Sequence, residues 1–234
     1  NSLYGIDFNG NGGQLHFEDY YGYGDQSGFA TGGCYDLSAC DDGGDGLLGP
    51  TREFLNSAEG QDINVILWSW CSIAGHNIPF YLSKMQTAIT EYPNVQFVFI
   101  TGHAEGGGEG DSSDSRNEII RNFVNNDNFC KTHQCILFDF ADMENYDPDN
   151  NYFLDKNVRD NLNYSSGNWG AEYLTRHPTG LNADLTDYIY TTGGKCSHSE
   201  SPYGANVNCA LKGQATWWML ARMVGWDGNP SHGC

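Results

Sequence analysis

The stretch that decides the fold is Asn64-Val-Ile-Leu-Trp-Ser-Trp-Cys71, an apolar run that ends abruptly in aromatic and reactive side chains. Two later runs share this pattern, Asn94-Val-Gln-Phe-Val-Phe-Ile-Thr-Gly-His103 and Cys135-Ile-Leu-Phe-Asp-Phe-Ala-Asp142. Near-continuous apolar runs are typical of parallel strands that are buried on both faces. Because open α/β sheets bind ligands beyond the carboxyl ends of their strands, the polar ends of these runs predict a site there.

The segments between these runs have helical periodicity. A helix is predicted at about 78–91, with Pro79 in its first turn. Ser115-Arg-Asn-Glu118 has the pattern of a capping box that opens a second helix, and a last helix is predicted at about 211–224. The side chains predicted to face the core include Ile119, Trp217, Trp218 and Val224. This order of strands and helices predicts an α/β fold, a three-layer α/β/α sandwich with right-handed crossovers.

The chain of 234 residues is long enough for one domain with a substantial core. Residues 1–50 are rich in glycine and aromatic side chains and are predicted to form loops after a short strand at Leu3–Phe8. Residues 51–228 are predicted to form the α/β core, and residues 229–234 a C-terminal tail.

Charge and cysteine content indicate the compartment and exclude some partners. Lys and Arg number 11 against 30 Asp and Glu, a formal net charge of -19, and phosphate binding draws on clustered basic side chains. No nucleic-acid partner is therefore expected. No run approaches the roughly 18–20 apolar residues of a membrane span.

Eight cysteines, an even number, and a start at Asn1 rather than Met predict a secreted protein.

The cysteines lack the Cys-x-x-Cys spacing of zinc or thioredoxin sites. Proximity favours three disulfides, and elimination leaves a fourth pair, although eight cysteines allow about 105 pairings. The predicted pairs are Cys34–Cys40, Cys130–Cys135, Cys196–Cys209 and Cys71–Cys234. For Cys71, which ends a predicted strand, a buried thiol is the alternative.

Several short motifs occur in one order along the chain: Trp68-Ser-Trp-Cys71, Thr101-Gly-His103, Asn117-x-x-Ile-Arg121, Cys196-Ser-His-Ser199 and Lys212-Gly-x-Ala-x-Trp-Trp. In this order the chain resembles a secreted bacterial branch of the SGNH (GDSL-like) hydrolase superfamily, over about residues 47–228. The resemblance implies a flavodoxin-like, mostly parallel sheet and a serine esterase mechanism that acts on acyl groups, often of carbohydrates. It thus predicts a carbohydrate or another extracellular polymer as partner, with self-association left open.

The resemblance assigns some roles and leaves others unfilled. His198 falls where the superfamily has its C-terminal catalytic histidine, and Ser69–Cys71 falls where oxyanion-hole groups lie. The early strand Leu3–Gly10 carries no serine at its end, and Lys195 stands where an aspartate is expected. A non-catalytic relative that serves as an extracellular binding or assembly module is therefore the alternative hypothesis.

Four residues are candidates for catalysis: Ser69, His103, Glu105 and His198. His198 is either a general base or a surface histidine in a disulfide-bonded loop. His103 and Glu105 are either an acid/base pair or substrate ligands, and the alternative for His103 is a histidine hydrogen-bonded into a loop. Ser69 is a nucleophile, a donor to an oxyanion, or a serine satisfied within the sheet. The candidate substrate-binding residues are Trp68, Trp70, Gly102 and Asn117. Gly102 permits close approach of a backbone, and one of the tryptophans is expected on a sugar platform.

Acidic turns give the only cofactor prediction, a structural calcium ion. Asp147-Pro-Asp-Asn-Asn151 brings carboxylate and amide oxygens together, with Asp147, Asp149 and Asn151 as the predicted ligands. A solvated acidic turn is the alternative. Asp139, Asp142 and Glu144 offer a carboxylate pair, although an Asp139 that accepts hydrogen bonds from backbone amides is favoured.

Overall fold

A computed structural model describes residue 37 and residues 44–179 and 204–229. Three parallel strands form the sheet, in the order β1 (Val65–Leu67), β2 (Gln96–Ile100) and β3 (Ile136–Phe138). Leu67 pairs with Val98, and Ile100 pairs with Phe138. The predicted α/β fold with a parallel sheet is therefore confirmed in the described part of the chain.

Seven α-helices lie in the described ranges: α1 (Leu48–Leu55), α2 (Ile78–Glu91), α3 (Ser112–Asn126), α4 (Asn128–His133), α5 (Asp142–Asn145), α6 (Trp169–Arg176) and α7 (Gly204–Met223). They are joined by two 3₁₀ helices, Glu59–Asp62 and Leu154–Lys156, and by a small hairpin of β4 (Asn163–Tyr164) and β5 (Gly167–Asn168). Among these helices, none has the length and apolarity needed to cross a membrane.

The central strand β2 is covered on both faces. Residues 97–100 are at most 3% exposed, and their side chains alternate between the two faces of the sheet. On one face the ring of Phe99 contacts Tyr81 of α2 and Phe123 of α3. The continuous apolar run of the sequence thus reflects burial on two sides.

Helix α2 confirms its prediction and shapes the carboxyl end of the sheet. The Asn77 side chain caps it by accepting a hydrogen bond from the amide of Phe80, at 3.1 Å. Further along, the Tyr81 hydroxyl accepts a hydrogen bond from the amide of Ile100, at 3.1 Å. Because β1 ends at Leu67, opposite Val98, the amide of Ile100 lies beyond the hydrogen bonds between the two strands. The Tyr81 hydroxyl provides the partner that this amide would otherwise lack.

Helix α3 begins earlier than predicted. The cap is Asp111, whose Oδ1 accepts a hydrogen bond from the amide of Asp114 at 2.7 Å, so the proposed capping box at Ser115 lies inside the helix. Ile120 is fully buried, whereas Ile119 is 44% exposed, which corrects its predicted inward position.

Helix α7 also starts before its predicted position, at Gly204 rather than near 211. Its most buried residues are Val207, Asn208 and Met219. The predicted inward residues are instead exposed: Trp217 by 38%, Trp218 by 55% and Val224 by 82%. The prediction was wrong because it placed the two tryptophans in the core on account of their hydrophobicity. The face of α7 that packs inward is the one that carries Val207, Asn208 and Met219.

The disulfides are described in part. Cys130 and Cys135 form the predicted bridge, which ties α4 to the start of β3. Cys209 is disulfide-bonded, but its predicted partner Cys196 lies outside the described residues. Cys71 is exposed, which corrects the buried-thiol alternative. The remaining cysteines, Cys34, Cys40 and Cys234, lie outside the described residues, so their pairings stay predictions.

Candidate functional site

Glu105 joins the polar ends of the first two strands. It follows β2, and its Oε1 accepts hydrogen bonds from the Ser72 hydroxyl at 2.6 Å and from the amide of Ile73 at 3.2 Å. A further hydrogen bond comes from Ser113 in the first turn of α3. One half-buried carboxylate thus holds together the segment after β1, the segment after β2 and the start of a helix.

The electrostatic setting of Glu105 keeps it ionised. Burial raises the pKa of this carboxyl group, but the hydrogen bonds from Ser72 and Ser113, the nearby His103 and the Ile73 amide outweigh burial and lower it. A general base works best when its pKa is close to the working pH. Glu105 is therefore better suited to clamping the strand ends than to removing a proton from a serine.

His103 makes a second connection between these strand ends. Its Nε2 lies 2.5 Å from the carbonyl oxygen of Cys71, and its Nδ1 lies 3.2 Å from that of Ala104. Because carbonyl oxygens only accept hydrogen bonds, Nε2 donates to Cys71. The structure thus brings His103, Glu105 and the Ser69–Cys71 end to one edge of the sheet.

Gly102 and Asn117 support this edge from within. Asn117 is 3% exposed, and its Oδ1 accepts a hydrogen bond from the Gly102 amide at 2.8 Å. A Cβ atom on Gly102 would lie 2.5 Å from Cγ2 of Ile73, so the close approach that Gly102 permits is to Ile73. In this structure Asn117 thus binds the backbone of Gly102, and Gly102 lies against the side chain of Ile73.

Trp68 and Trp70 are both buried, at 6% and 8% exposure, which corrects the expectation that one of them lies on an exposed platform. The Trp68 indole donates to Thr51 of α1 at 3.1 Å. The Trp70 ring contacts His76 and Tyr81, and its buried Nε1 has no hydrogen-bond partner among the described residues.

Ser69 lies between these two tryptophans and is exposed. Its carbonyl oxygen accepts a hydrogen bond from the amide of Leu37 at 2.9 Å. Its hydroxyl is therefore at the surface of the candidate edge and not within the sheet.

A carboxylate whose burial and partners the sequence did not reveal lies behind the edge. The Glu144 side chain is fully buried, and its Oε2 accepts a hydrogen bond from the amide of Ala104, between His103 and Glu105, at 2.6 Å. Its Oε1 accepts from Asn208 at 3.1 Å and from the ammonium group of Lys212. The only signal in the sequence is that Asn208 and Lys212 are four residues apart, on one face of α7.

Burial opposes the charge on Lys212. Desolvation lowers the pKa of its ammonium group, whereas the Glu144 carboxylate acts to raise it, and the net direction is downward. The ammonium group also lies 3.5 Å from the centroid of the Phe140 ring. The ion pair thus connects α5 and α7 to the backbone of the candidate edge.

Asp139, at the end of β3, has a structural role. Its carboxylate receives two hydrogen bonds from Arg121, at 2.6 and 2.8 Å, one from the Thr101 hydroxyl at 3.0 Å and one from the Asp142 amide at 3.2 Å. The structural interpretation of Asp139 is confirmed in part, because the carboxylate accepts one backbone hydrogen bond, from Asp142, whereas its main partner is Arg121. Glu144 pairs with Lys212 and not with Asp139, but Asp142 lies close enough to Asp139 that burial, and then the Asp139 charge, raise the pKa of the Asp142 carboxyl group.

The predicted calcium segment already contains cationic partners. Asp147 is buried, and its Oδ1 accepts hydrogen bonds from the amides of Asp149 and Asn151. Its Oδ2 lies 2.5 Å from the Arg176 guanidinium, which also lies 3.1 Å from Asp149. His177 contacts the Asp149 carboxylate at 2.9 Å. No group of three or more His, Cys, Asp or Glu residues in the described ranges has an arrangement that could hold a metal ion, and the calcium site stays a prediction.

A shallow groove of about 420 Å³ runs along α6, lined by Asn168, Ala171, Glu172, Thr175 and Arg176. None of the sequence-predicted site residues lines it. His198 lies outside the described residues, so its distance from the candidate edge stays open.

Comparison of the chain with protein-family models, with curated proteins and with solved structures found no match.

Proposed function

We propose that this chain is a secreted SGNH-like protein with a three-layer α/β/α sandwich, and that it hydrolyses ester groups on an extracellular glycan. The observation that carries the proposal is the meeting of the Ser69–Cys71 end, His103 and Glu105 at one edge of a parallel sheet. Open α/β sheets bind their ligands at this edge. The resemblance adds His198 as the general base.

The described edge offers parts that ester hydrolysis requires. Ser69 presents an exposed hydroxyl that can serve as the nucleophile. Glu105 holds the amide of Ile73 after β1, and Glu144 holds the amide of Ala104 after β2, so the backbone at both strand ends is fixed before a substrate arrives. The net charge of -19 favours a neutral glycan over a polyanionic one.

A second candidate is a non-catalytic glycan-binding module. The observation that favours it is that the polar side chains of the edge accept hydrogen bonds from the protein's own backbone. Glu105 accepts from Ile73, Asn117 from Gly102 and Glu144 from Ala104. In addition, the lowered pKa of Glu105 makes that carboxylate a weak base.

The test compares acetate release from acetylated xylan by the wild type and by His103→Ala and His198→Ala variants. Each variant is expected to lose at least ~100-fold in rate, the lower end for acid–base groups. His133→Ala is the matched control, because His133 is exposed on α4 and also contacts a backbone carbonyl, that of Phe129. Full activity in His198→Ala would show that the wrong base was assigned. Glycan binding without acetate release would favour the binding module.

A further inference from the structure

Two tyrosines face each other on a short hairpin that follows α5. Tyr146 and Tyr152 pair in antiparallel fashion, and their ring centroids are 4.9 Å apart with a 39° tilt. Backbone hydrogen bonds flank the pair, from Phe153 to Asn145 at 2.8 Å and from Asp147 to Asn151 at 3.1 Å. Cross-strand neighbours of this kind carry their side chains on the same face.

The two faces of this hairpin differ in burial. Asn145, Asp147 and Phe153 are each at most 4% exposed, and they alternate along the chain with the tyrosines. Tyr146 is 40% exposed, and Tyr152 is half-buried. An outward face usually carries polar residues, so adjacent aromatic rings there indicate a contact surface.

The hairpin is held in place before any ligand binds. The buried Asp147 carboxylate accepts hydrogen bonds from the amides of Asp149 and Asn151 within the turn, and it pairs with Arg176 of α6. Because the turn is fixed in this way, little conformational entropy remains to be lost when a ligand contacts the rings.

A carboxylate lies beside the rings. The Tyr152 hydroxyl donates a hydrogen bond to Oε1 of Glu109 at 2.8 Å, and this bond orients the carboxylate. Oε2 of Glu109, an exposed residue, makes no hydrogen bond to the described residues and can accept one from a ligand. Glu109 lies in the same β2–α3 loop as Glu105, four residues further along the chain.

We propose that Tyr146, Tyr152 and Glu109 form a subsite for one sugar ring of a neutral glycan. The C–H face of the sugar packs on Tyr146, and a sugar hydroxyl donates to Oε2 of Glu109. The Glu109 carboxylate and the net charge of -19 repel uronate and sulfate groups. The assignment of a glycan rests on the proposed function, whereas the binding test does not require catalysis.

The test is isothermal titration of the chain with xylohexaose, cellohexaose and mannohexaose, and with an oligogalacturonide as the anionic counterpart. At least one neutral hexasaccharide is expected to bind, and Tyr146→Ala is expected to weaken its affinity about tenfold. Glu109→Gln is expected to retain part of the affinity, because its amide oxygen still accepts hydrogen bonds, and to reduce the discrimination against oligogalacturonide. Trp218→Ala removes a larger exposed ring outside the hairpin and is expected to bind like the wild type.

The outcomes separate the subsite from the proposed hydrolysis. Binding lost in Tyr146→Ala, without ester turnover in the wild type, supports the subsite and contradicts the hydrolase. Unchanged binding in a folded Tyr146→Ala variant overturns the subsite, whether or not esters are cleaved. Failure of all three neutral hexasaccharides to bind at millimolar concentration also overturns it, as does tighter binding of the oligogalacturonide.

Discussion

Replacing Lys212 by methionine should leave the buried carboxylate of Glu144 without its cation. The side chain of Glu144 is fully buried and that of Lys212 is 15% exposed, so water reaches the pair only from the lysine side. Removing one partner of a buried ion pair costs about 3–5 kcal/mol. With the buried Glu144 charge left unpaired, we expect Lys212→Met to lower the free energy of unfolding by this amount.

Urea denaturation with disulfides intact measures this loss of unfolding free energy. Lys131→Met is the control, because Lys131 is exposed and donates only to the carbonyl oxygen of Asn126, and it should change stability by less than about 0.5 kcal/mol. The double variant Glu144→Gln/Lys212→Met should recover much of the loss, because no unpaired charge then remains in the buried site. A loss below about 1 kcal/mol in Lys212→Met would refute the reasoning.

Three further predictions follow from individual contacts. Because the pKa of Glu105 is lowered in the folded protein, its carboxylate stabilises the fold when the pH is above the reference pKa of 4.5. This stabilisation is lost as the pH falls through the folded-state pKa. In acid titrations, the difference in unfolding free energy between wild type and Glu105→Gln should thus shrink, and a constant difference would contradict the proposed clamp. Calcium that binds at Asp147–Asn151 must compete with Arg176 for the two carboxylates. Calcium should therefore raise the melting temperature of Arg176→Gln more than that of the wild type. No rise in either protein would contradict the predicted calcium site. Alkylation under denaturing, non-reducing conditions, followed by mass spectrometry, should modify at most Cys71 and Cys234, and modification of four or more cysteines would contradict the disulfide framework.

The parallel sheet was predictable because a strand buried on both faces leaves a direct trace in the sequence. Residues 97–100 form a continuous apolar run for the same reason that they are nearly inaccessible to solvent. Helix α2 was predictable as well, since Pro79 and the apolar face from Ile78 onward are local signals.

The supporting contacts of the site were not predictable, because they join residues that are distant in the chain. Glu144 and Lys212 are 68 positions apart, and no periodicity links them. The face of α7 was misjudged for a related reason. Tertiary packing selected Val207 and Met219, whereas the hydrophobicity of Trp218 pointed to another side of the helix. Likewise, residue type alone did not reveal that Asn117 would accept a hydrogen bond from the backbone of Gly102.

The central claim is that the carboxyl edge of the sheet hydrolyses glycan esters with a histidine base. Its most direct measurement is the initial rate of acetate release from acetylated xylan as a function of pH, for the wild type and His198→Ala. We predict a wild-type rate that rises through the titration range of an imidazole, near pH 6.5, and a rate reduced at least ~100-fold in the variant. No acetate release by the folded wild type at any pH, or an unchanged profile in His198→Ala, would contradict the account.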